Sequence, residues 1–374
     1  MPTIPSGLLH LRIRNLLIFA GKNRMYRYLI RPILFLLSPE TIHHLLITSL
    51  RFAFKIPGLL PLVKGFYHVK DKSLERDFLG LHFSNPVGLA AGFDKNASIY
   101  KEFHAFGFSS VEIGTVTPLG QPGNEKPRSF RIKKDRGLIN RMGFNNLGAE
   151  AAAARLDRKR PKGLILGGNI GKNTLTPNEQ AVDDYEAVFK AIYDGVDYFV
   201  VNVSCPNISD LRKLQDQDSL EKILGRIMEL REQKDHKKPV LLKISPDLNE
   251  QQLDETLEIV DRLKIDGIVA TNTTVSRTGL HTPDEEIKAI GNGGMSGAPI
   301  TARSLEVVRY VHQKSEGKLP IIAVGGIMGV QDALNMLDAG AKLIQIYTGF
   351  IYEGPGLARR INRAILKREA AKKA

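Results

Sequence analysis

One alternation constrains this chain more than any other feature. From about residue 75 onward, eight short β-branched or apolar runs recur: Val87–Ala91, Val111–Gly114, Leu164–Ile170, Tyr198–Ser204, Val240–Ser245, Gly267–Thr271, Ile321–Gly325 and Leu343–Thr348. Helical patterns separate most of them, among them Asp183–Tyr193, Leu220–Gln233, Asn249–Leu263, Ala302–Lys314 and Val330–Ala339. Runs too short for helices, alternating with amphipathic stretches, suit parallel strands joined by crossover helices. Eight such units over roughly 290 residues predict an α/β fold, a (β/α)8 or TIM barrel, rather than an open doubly wound sheet.

The first 70 residues follow another rule. Tyr26, Leu29, Ile30, Ile33, Leu34 and Leu37 recur at helical spacing. Ser38-Pro39-Glu40 restarts a helix, with serine as cap, proline in the first turn and glutamate at the positive end of the dipole. Ile42, Leu45, Leu46, Ser49, Leu50 and Ala53 continue it until Ile56-Pro57-Gly58. Leu36, Ile47, Phe52 and Phe54 fall off those faces, so the pair is apolar on more than one side and either packs into a core or docks on something apolar. A division follows, with a small N-terminal helical domain over 1–70 and a barrel over 71–374. Residues 1–22 are expected to be a leader or disordered.

Charge sharpens this division. The net charge is +13, and residues 1–70 hold ten Lys/Arg against Glu40 alone. Interleaving these bases with long aliphatic and aromatic side chains favours a lipid surface over nucleic acid. No helix-turn-helix, zinc or RNP-type pattern accompanies the charge, so no nucleic-acid partner is expected. The stretch Leu8–Ala20 is interrupted by Arg12 and Arg14, and no run is long enough to span a bilayer. A single cysteine, Cys205, excludes an internal disulfide, and no pattern suggests a metal.

In barrels of this kind the site gathers at the carboxyl ends of the strands. There the runs present Ala90-Ala91-Gly92-Phe93-Asp94-Lys95, Thr115, Asn169, Asn202-Val203-Ser204-Cys205-Pro206-Asn207, Lys243, Thr271-Asn272-Thr273, Gly325-Gly326 and Tyr347-Thr348-Gly349. The last two ends, with Gly293-Gly294-Met295-Ser296-Gly297, suit a phosphate, because glycine lets its oxygens approach backbone N–H groups. Lys243, inside an apolar strand, points either into the barrel or against the helices and demands a partner. A flavin edge would supply one; an aldolase Schiff base is the competing use of such a lysine. Asn140, Asn145, Asn202, Asn207 and Asn272 suit a small, flat, heteroatom-rich ring.

Six ordered strings carry a closer likeness: Gly88-Leu-Ala-Ala-Gly-Phe-Asp-Lys95, Glu112-Ile-Gly-Thr-Val-Thr-Pro118, Gly137-Leu-Ile-Asn-Arg-Met-Gly-Phe-Asn145, Asn202-Val-Ser-Cys-Pro-Asn207, Ala270-Thr-Asn-Thr-Thr274 and Gln345-Ile-Tyr-Thr-Gly-Phe350. The chain, from about Tyr26 to Leu357, resembles the dihydroorotate dehydrogenases, and within them the quinone-linked, membrane-associated (class 2) branch. The resemblance implies oxidation of dihydroorotate to orotate in pyrimidine synthesis, with FMN as hydride acceptor and a quinone as final acceptor. It implies FMN held by Ala90, Ala91, Gly92, Thr115, Asn169, Asn202, Lys243, Thr271, Gly297, Gly326, Tyr347 and Thr348. Orotate would meet Lys95, Asn140, Arg141, Met142, Gly143, Phe144, Asn145, Asn202, Asn207, Asn272 and Thr273. The N-terminal helices correspond to the family's quinone-tunnel domain. That places the protein peripherally on a membrane, the cytoplasmic face of a bacterial inner membrane or, in a eukaryote, the mitochondrial inner membrane, with no obligatory protein partner.

The resemblance makes Cys205 the catalytic base, and here the chain departs from its branch. Quinone-linked members usually carry serine at this position, whereas soluble members carry cysteine. A thiol's ordinary pKa of about 8.5 suits proton abstraction after modest depression. The competing readings are a soluble fumarate- or NAD-linked dihydroorotate dehydrogenase, which Cys205 favours, another FMN barrel such as a dihydrouridine synthase, and a catalytically inactive barrel.

Overall fold

The structure, a computed structural model, describes residues 24–156, 160–204 and 217–373. Eight parallel strands close into a barrel: β1 (Val87–Asp94), β2 (Ser110–Val116), β3 (Ile165–Ile170), β4 (Tyr198–Asn202), β5 (Val240–Ile244), β6 (Gly267–Ala270), β7 (Ile321–Val324) and β8 (Leu343–Ile346). Each pairs with the next in sequence, and β8 returns to β1 through the register Ile344 to Val87. All eight runs expected from the sequence are barrel strands. The crossover helices also stand near their expected bounds: Ala181–Ile192, Gln217–Glu232, Glu250–Arg262, Thr301–Lys314 and Val330–Asp338. Asn249 and Gln252 close a reciprocal capping box at the start of the third, at 2.9 and 3.0 Å.

Strand periodicity sorts the barrel's residues into two buried sets. Phe199 and Val201 of β4, Val240 and Leu242 of β5, and Ile344 and Ile346 of β8 belong to the large core shared with the helices. Tyr198 and Val200, Leu241, Ile322 and Val324, and Leu343 form the barrel interior. A hairpin, Arg76–Phe78 with Leu81–Phe83, closes the interior from the amino-terminal end with Phe78 and Phe83. Lys243 shares the parity of Leu241, so it points into the barrel. That resolves the choice its place in the sequence left open.

Above the carboxyl ends stands a small antiparallel sheet the sequence did not announce. The hairpin Ser129–Ile132 and Gly137–Asn140, from the connection after β2, takes Gly294–Gly297, from the connection after β6, as a third strand. Two segments more than 150 residues apart thereby wall one side of the barrel mouth.

The N-terminal helices also form, in altered outline. Helix α1 (Pro39–Ala53) starts where expected, with Ser38 Oγ accepting from Thr41 N–H at 3.2 Å. The preceding stretch is not one regular helix but a π turn, Tyr26–Ile30, leading into Arg31–Leu34. A further helix, α2 (Leu59–Tyr67), descends along the barrel to pack on Phe106 through Tyr67.

Ion pairs fasten these helices to the barrel. Glu40 meets the buried Arg128 at 2.7 Å, and although burial works to raise the Glu40 carboxyl, that guanidinium holds it below its ordinary value. Glu353, almost wholly buried at the end of the helix after β8, takes Arg27 at 2.7 Å, Arg136 at 2.7 Å and Arg360 at 3.4 Å. One carboxylate thus joins the N-terminal turn, the mouth hairpin and the C-terminal helix. Glu353→Gln leaves three guanidinium groups around a neutral amide. It should destabilise the protein by roughly 2 kcal/mol, below the figure for fully buried pairs because Arg27 and Arg136 are partly solvated. Urea unfolding checks the loss, and limited proteolysis should show cleavage appearing first in the N-terminal helices.

Two histidines, the buried His104 and the half-buried His43, make a second prediction. His104 lies within 2.8 Å of the Phe108 carbonyl through Nδ1, so that nitrogen carries the proton and Nε2 accepts from Lys64 at 3.1 Å. Burial, with His68 and Lys64 beside it, lowers His104 to about 3. Burial, with Lys95 and His44 nearby, lowers His43 to about 4. An unfolded histidine titrates near 6.5. Between those values the unfolded chain binds more protons, so stability is lost as pH falls below about 6.5, at up to ~1.4 kcal/mol per pH unit per group. His104→Gln should make the thermal midpoint less steep between pH 7 and 5, and an unchanged slope would show that His104 does not carry this linkage.

Candidate functional site

The barrel's carboxyl-terminal mouth encloses one cavity that draws on seven of the eight strand ends. From β1 come Ala90, Ala91, Gly92 and, beyond the strand, Lys95; from β2 Thr115; from β4 Asn202; from β5 Lys243. The segment after β6 supplies Thr271, Asn272 and Thr273, the end of β7 Val324, Gly325 and Gly326, and β8 with its following helix Gln345, Tyr347, Thr348 and Gly349. The mouth sheet adds Asn140, Met142, Gly143, Phe144, Ser296 and Gly297. Eleven of the twelve residues expected to hold a cofactor therefore line one space; Asn169 lies one layer beneath, bonded to Thr115 and Asn202.

At one end the cavity is built for close approach. Gly297, Gly325 and Gly326 have φ of +96°, +109° and +71°, which favours glycine. A Cβ on Gly297 would meet the Arg136 carbonyl at 2.5 Å, so a side chain is excluded there by space as well as by dihedral. Beside them Ser296 and Thr348 pair their hydroxyls at 2.8 Å. Backbone N–H groups and two hydroxyls at a glycine-bearing turn make a receptor for a phosphate.

The other end is lined with amides. Asn202 donates to Thr115 Oγ1 at 3.0 Å, and Asn272 donates to Asn202 Oδ1 at 3.1 Å and Ser204 Oγ at 3.0 Å. Ser204 in turn donates to the Lys243 carbonyl at 2.9 Å. Lys95 donates to Asn145 Oδ1, which holds its ammonium over this end. The chain supplies a cation, neutral amides and a second lysine within one water-poor space, a set matched to a flat ring bearing a carboxylate.

Besides Asn169, Arg141 and Asn145 are absent from the lining of the cavity. Arg141 turns away from the cavity: its guanidinium donates to the Ile290, Asn292 and Pro127 carbonyls and lies over the Phe130 ring at 4.7 Å. Asn145 reaches the cavity through Lys95. Cys205 and Asn207 lie outside the described residues; the described chain of β4 ends at the buried Ser204. Among the described residues, no group of three or more His, Cys, Asp or Glu is placed to hold a metal.

Sequence reasoning missed Ile300, Val324, Ile327, Met328 and Gln345 as lining residues. The four apolar ones carry no chemical signal. Gln345 did carry one: a lone amide in an apolar strand, at the parity of Leu343, must face the barrel interior. A row of packed rings links the cavity to α1, because Phe93 packs on Tyr347 at 4.6 Å and on His43 at 5.7 Å. Burial pushes the Tyr347 phenol up to about 12, so it stays protonated.

Fold and cavity together define the class, a (β/α)8 barrel whose polar groups converge at the carboxyl ends of its strands. The chain belongs to the dihydroorotate dehydrogenase family, matching it over residues 73–368. It is 53% identical to the dihydroorotate dehydrogenase (quinone) of Christiangramia forsetii, over 92% of this chain and 99% of the relative. A second relative of the same description, from Synechococcus sp. strain JA-3-3Ab, is 45% identical over 91% of this chain and 92% of its own length. Among solved structures, the dihydroorotate dehydrogenase of Eimeria tenella in complex with ferulenol superposes with a TM-score of 0.79. It is 34% identical over 90% of this chain and 93% of that one.

Proposed function

We propose that this protein oxidises dihydroorotate to orotate in pyrimidine synthesis, with FMN as its cofactor and a quinone as final electron acceptor. The observation that carries this reading is the single cavity that joins a glycine-and-hydroxyl phosphate cradle to an amide-lined pocket under Lys95. FMN fits it in chemistry. Gly297, Gly325, Gly326 and Thr348 would hold the phosphate, Thr115, Asn202 and Thr271 would hold the ring, and Lys243 would supply a cation to stabilise the negative charge of the reduced ring. When bound, the flavin supplies the hydride acceptor.

The chain's own groups do the rest. Lys95, steadied by Asn145, takes the substrate carboxylate. Asn202 and Asn272 orient the ring by hydrogen bonds whose directions are already set by Thr115 and Ser204. Phe144, Met142 and Gly143 from the mouth sheet cover this end and exclude water. Cys205 removes the proton from ring carbon 5; it directly follows Ser204, whose hydroxyl bonds the cavity residue Asn272.

Residues 1–70 act as a domain that meets a membrane and admits the quinone. Tyr28, Leu29, Ile33, Leu36, Leu45, Phe52 and Ile56 stand exposed on the N-terminal helices, with Leu36 at 83%. Arg24, Arg51 and Lys55 lie along the same segments. Among the described residues no single helix is long and apolar enough to cross a membrane; Tyr26–Leu34 and Pro39–Ala53, bent by 109°, reach that length and composition only together. An apolar face fringed with bases suits peripheral docking on anionic lipid. From it, His43, Phe93 and Tyr347 lead inward to the cavity.

Dihydroorotate oxidation assayed in parallel with a quinone, fumarate and NAD tests the whole assignment. Turnover with quinone alone is expected, rising when anionic vesicles are present; turnover with fumarate alone would assign the chain to a soluble branch. Cys205→Ala should keep yellow FMN and bind orotate while losing at least a hundredfold in turnover, the usual worth of a positioned base. Undiminished turnover in that variant would exclude Cys205 as the base.

A further inference from the structure

Beneath the cavity, on the level of Asn169, lies a fully buried carboxylate. Glu112 of β2 accepts from Asn169 Nδ2 through Oε1 at 2.8 Å and from Gln345 Nε2 through Oε2 at 2.7 Å. Lys243 Nζ lies 3.9 Å from Oε1. The likeness to known enzymes assigns Asn169 and Lys243 to the cofactor but gives Glu112 no role, and a carboxylate in a barrel core is costly unless it is paired and hydrogen-bonded.

We infer that Glu112 is a positioning residue that sets the hydrogen-bonding direction of Asn169 and, through it, of Asn202, and moderates the charge that Lys243 offers the flavin. The inference rests on the flavin and orotate reading above. A carboxylate only accepts, so Asn169 must turn its NH2 toward Glu112 and its Oδ1 toward the cavity. That oxygen accepts from the Thr115 hydroxyl and from Asn202 Nδ2, the latter at 3.2 Å. Asn202 is thereby obliged to present Oδ1 to Asn272 Nδ2 at 3.1 Å, and Asn272 then keeps its own Oδ1 for Thr273 N–H at 2.9 Å. Asn272 is held at the far end by the Thr273 N–H and by Ser204, whose own proton goes to the Lys243 carbonyl. At the near end one anion fixes Asn169, and Asn169 in turn holds Asn202.

Charge follows the same geometry. Lys243 lines the cavity above while its ammonium lies beside Glu112 below, so the carboxylate offsets part of the positive field felt by the flavin. Glu112→Gln keeps the shape and removes the anion. The midpoint potential of bound FMN should rise, because an unopposed Lys243 favours the reduced, more negative ring. Orotate affinity, read from the shift of the flavin absorbance without turnover, should fall about tenfold as Asn169 and the amides beyond it lose their fixed direction. Gln345→Leu removes a donor from the carboxylate and should move the potential the opposite way, downward.

Spectroelectrochemical titration of the parent and both variants, with orotate titrations of parent and Glu112→Gln, decides the matter. A potential that is unchanged or lower in Glu112→Gln, or unchanged orotate affinity, overturns the inference. Should Glu112→Gln be recovered without flavin, Gln345→Leu carries the test, and a potential that stays put or rises overturns it. A parent that binds neither FMN nor orotate overturns the functional reading and this inference with it; a parent that binds both beside an unshifted Glu112→Gln overturns the inference alone.

Discussion

Closure of the eight-stranded sheet is the constraint on which everything else depends. Pairing of β8 with β1 leaves no open edge and points every carboxyl end the same way. Residues from Ala90 to Thr348, spread over most of the chain, therefore meet in one small volume. Closure also creates a narrow interior in which alternate residues of every strand must be accommodated. Most are apolar, but Glu112, Asn169, Lys243 and Gln345 meet at one level of it, where Glu112 accepts from both amides and the ammonium lies 3.9 Å away. The site above inherits its rigidity from this buried polar layer.

The N-terminal helices depend on the barrel in a different way. Ile42, Val63 and Tyr67 are their buried side chains, and Ile47, Leu50, Phe54, Leu59, Leu60 and Phe66 pack half-buried against the core. Beside that packing, Glu40 with Arg128 and the carboxylate of Glu353 among three arginines fasten them to the barrel. Glu353 ends the helix whose first turn carries Thr348, so the fastening of the helices and the phosphate end of the cavity share one short element. Leaving a broad apolar face uncovered while spending charged groups on attachment is consistent with a surface reserved for a lipid partner.

Much of this was legible from the residues themselves. Strand and helix runs of the barrel come from local periodicity, and their polar endings marked the cavity, including Lys95, Thr115, Asn202, Thr271 and Thr348. The mouth sheet was not legible, because Gly294–Gly297 finds its partner in Gly137–Asn140 only after the chain has circled the barrel. Arg141 stood in a string full of site residues, yet its side chain leaves the cavity for three backbone carbonyls. Adjacency in sequence assigned it to the cavity; alternation along an edge turned it out.

What the sequence determined by itself was the barrel, its greasy basic preface and the list of groups able to bind a flat polar ring, since these follow from spacing and residue chemistry over a few turns. Only the tertiary structure decided which way Lys243 faces, which carboxylate stands beneath it, and in which direction Asn169, Asn202 and Asn272 offer their hydrogen bonds. Those are relations among β2, β3, β4, β5 and the segment after β6. Most of the bonds join residues on different strands, so closure of the barrel brings those partners within bonding distance.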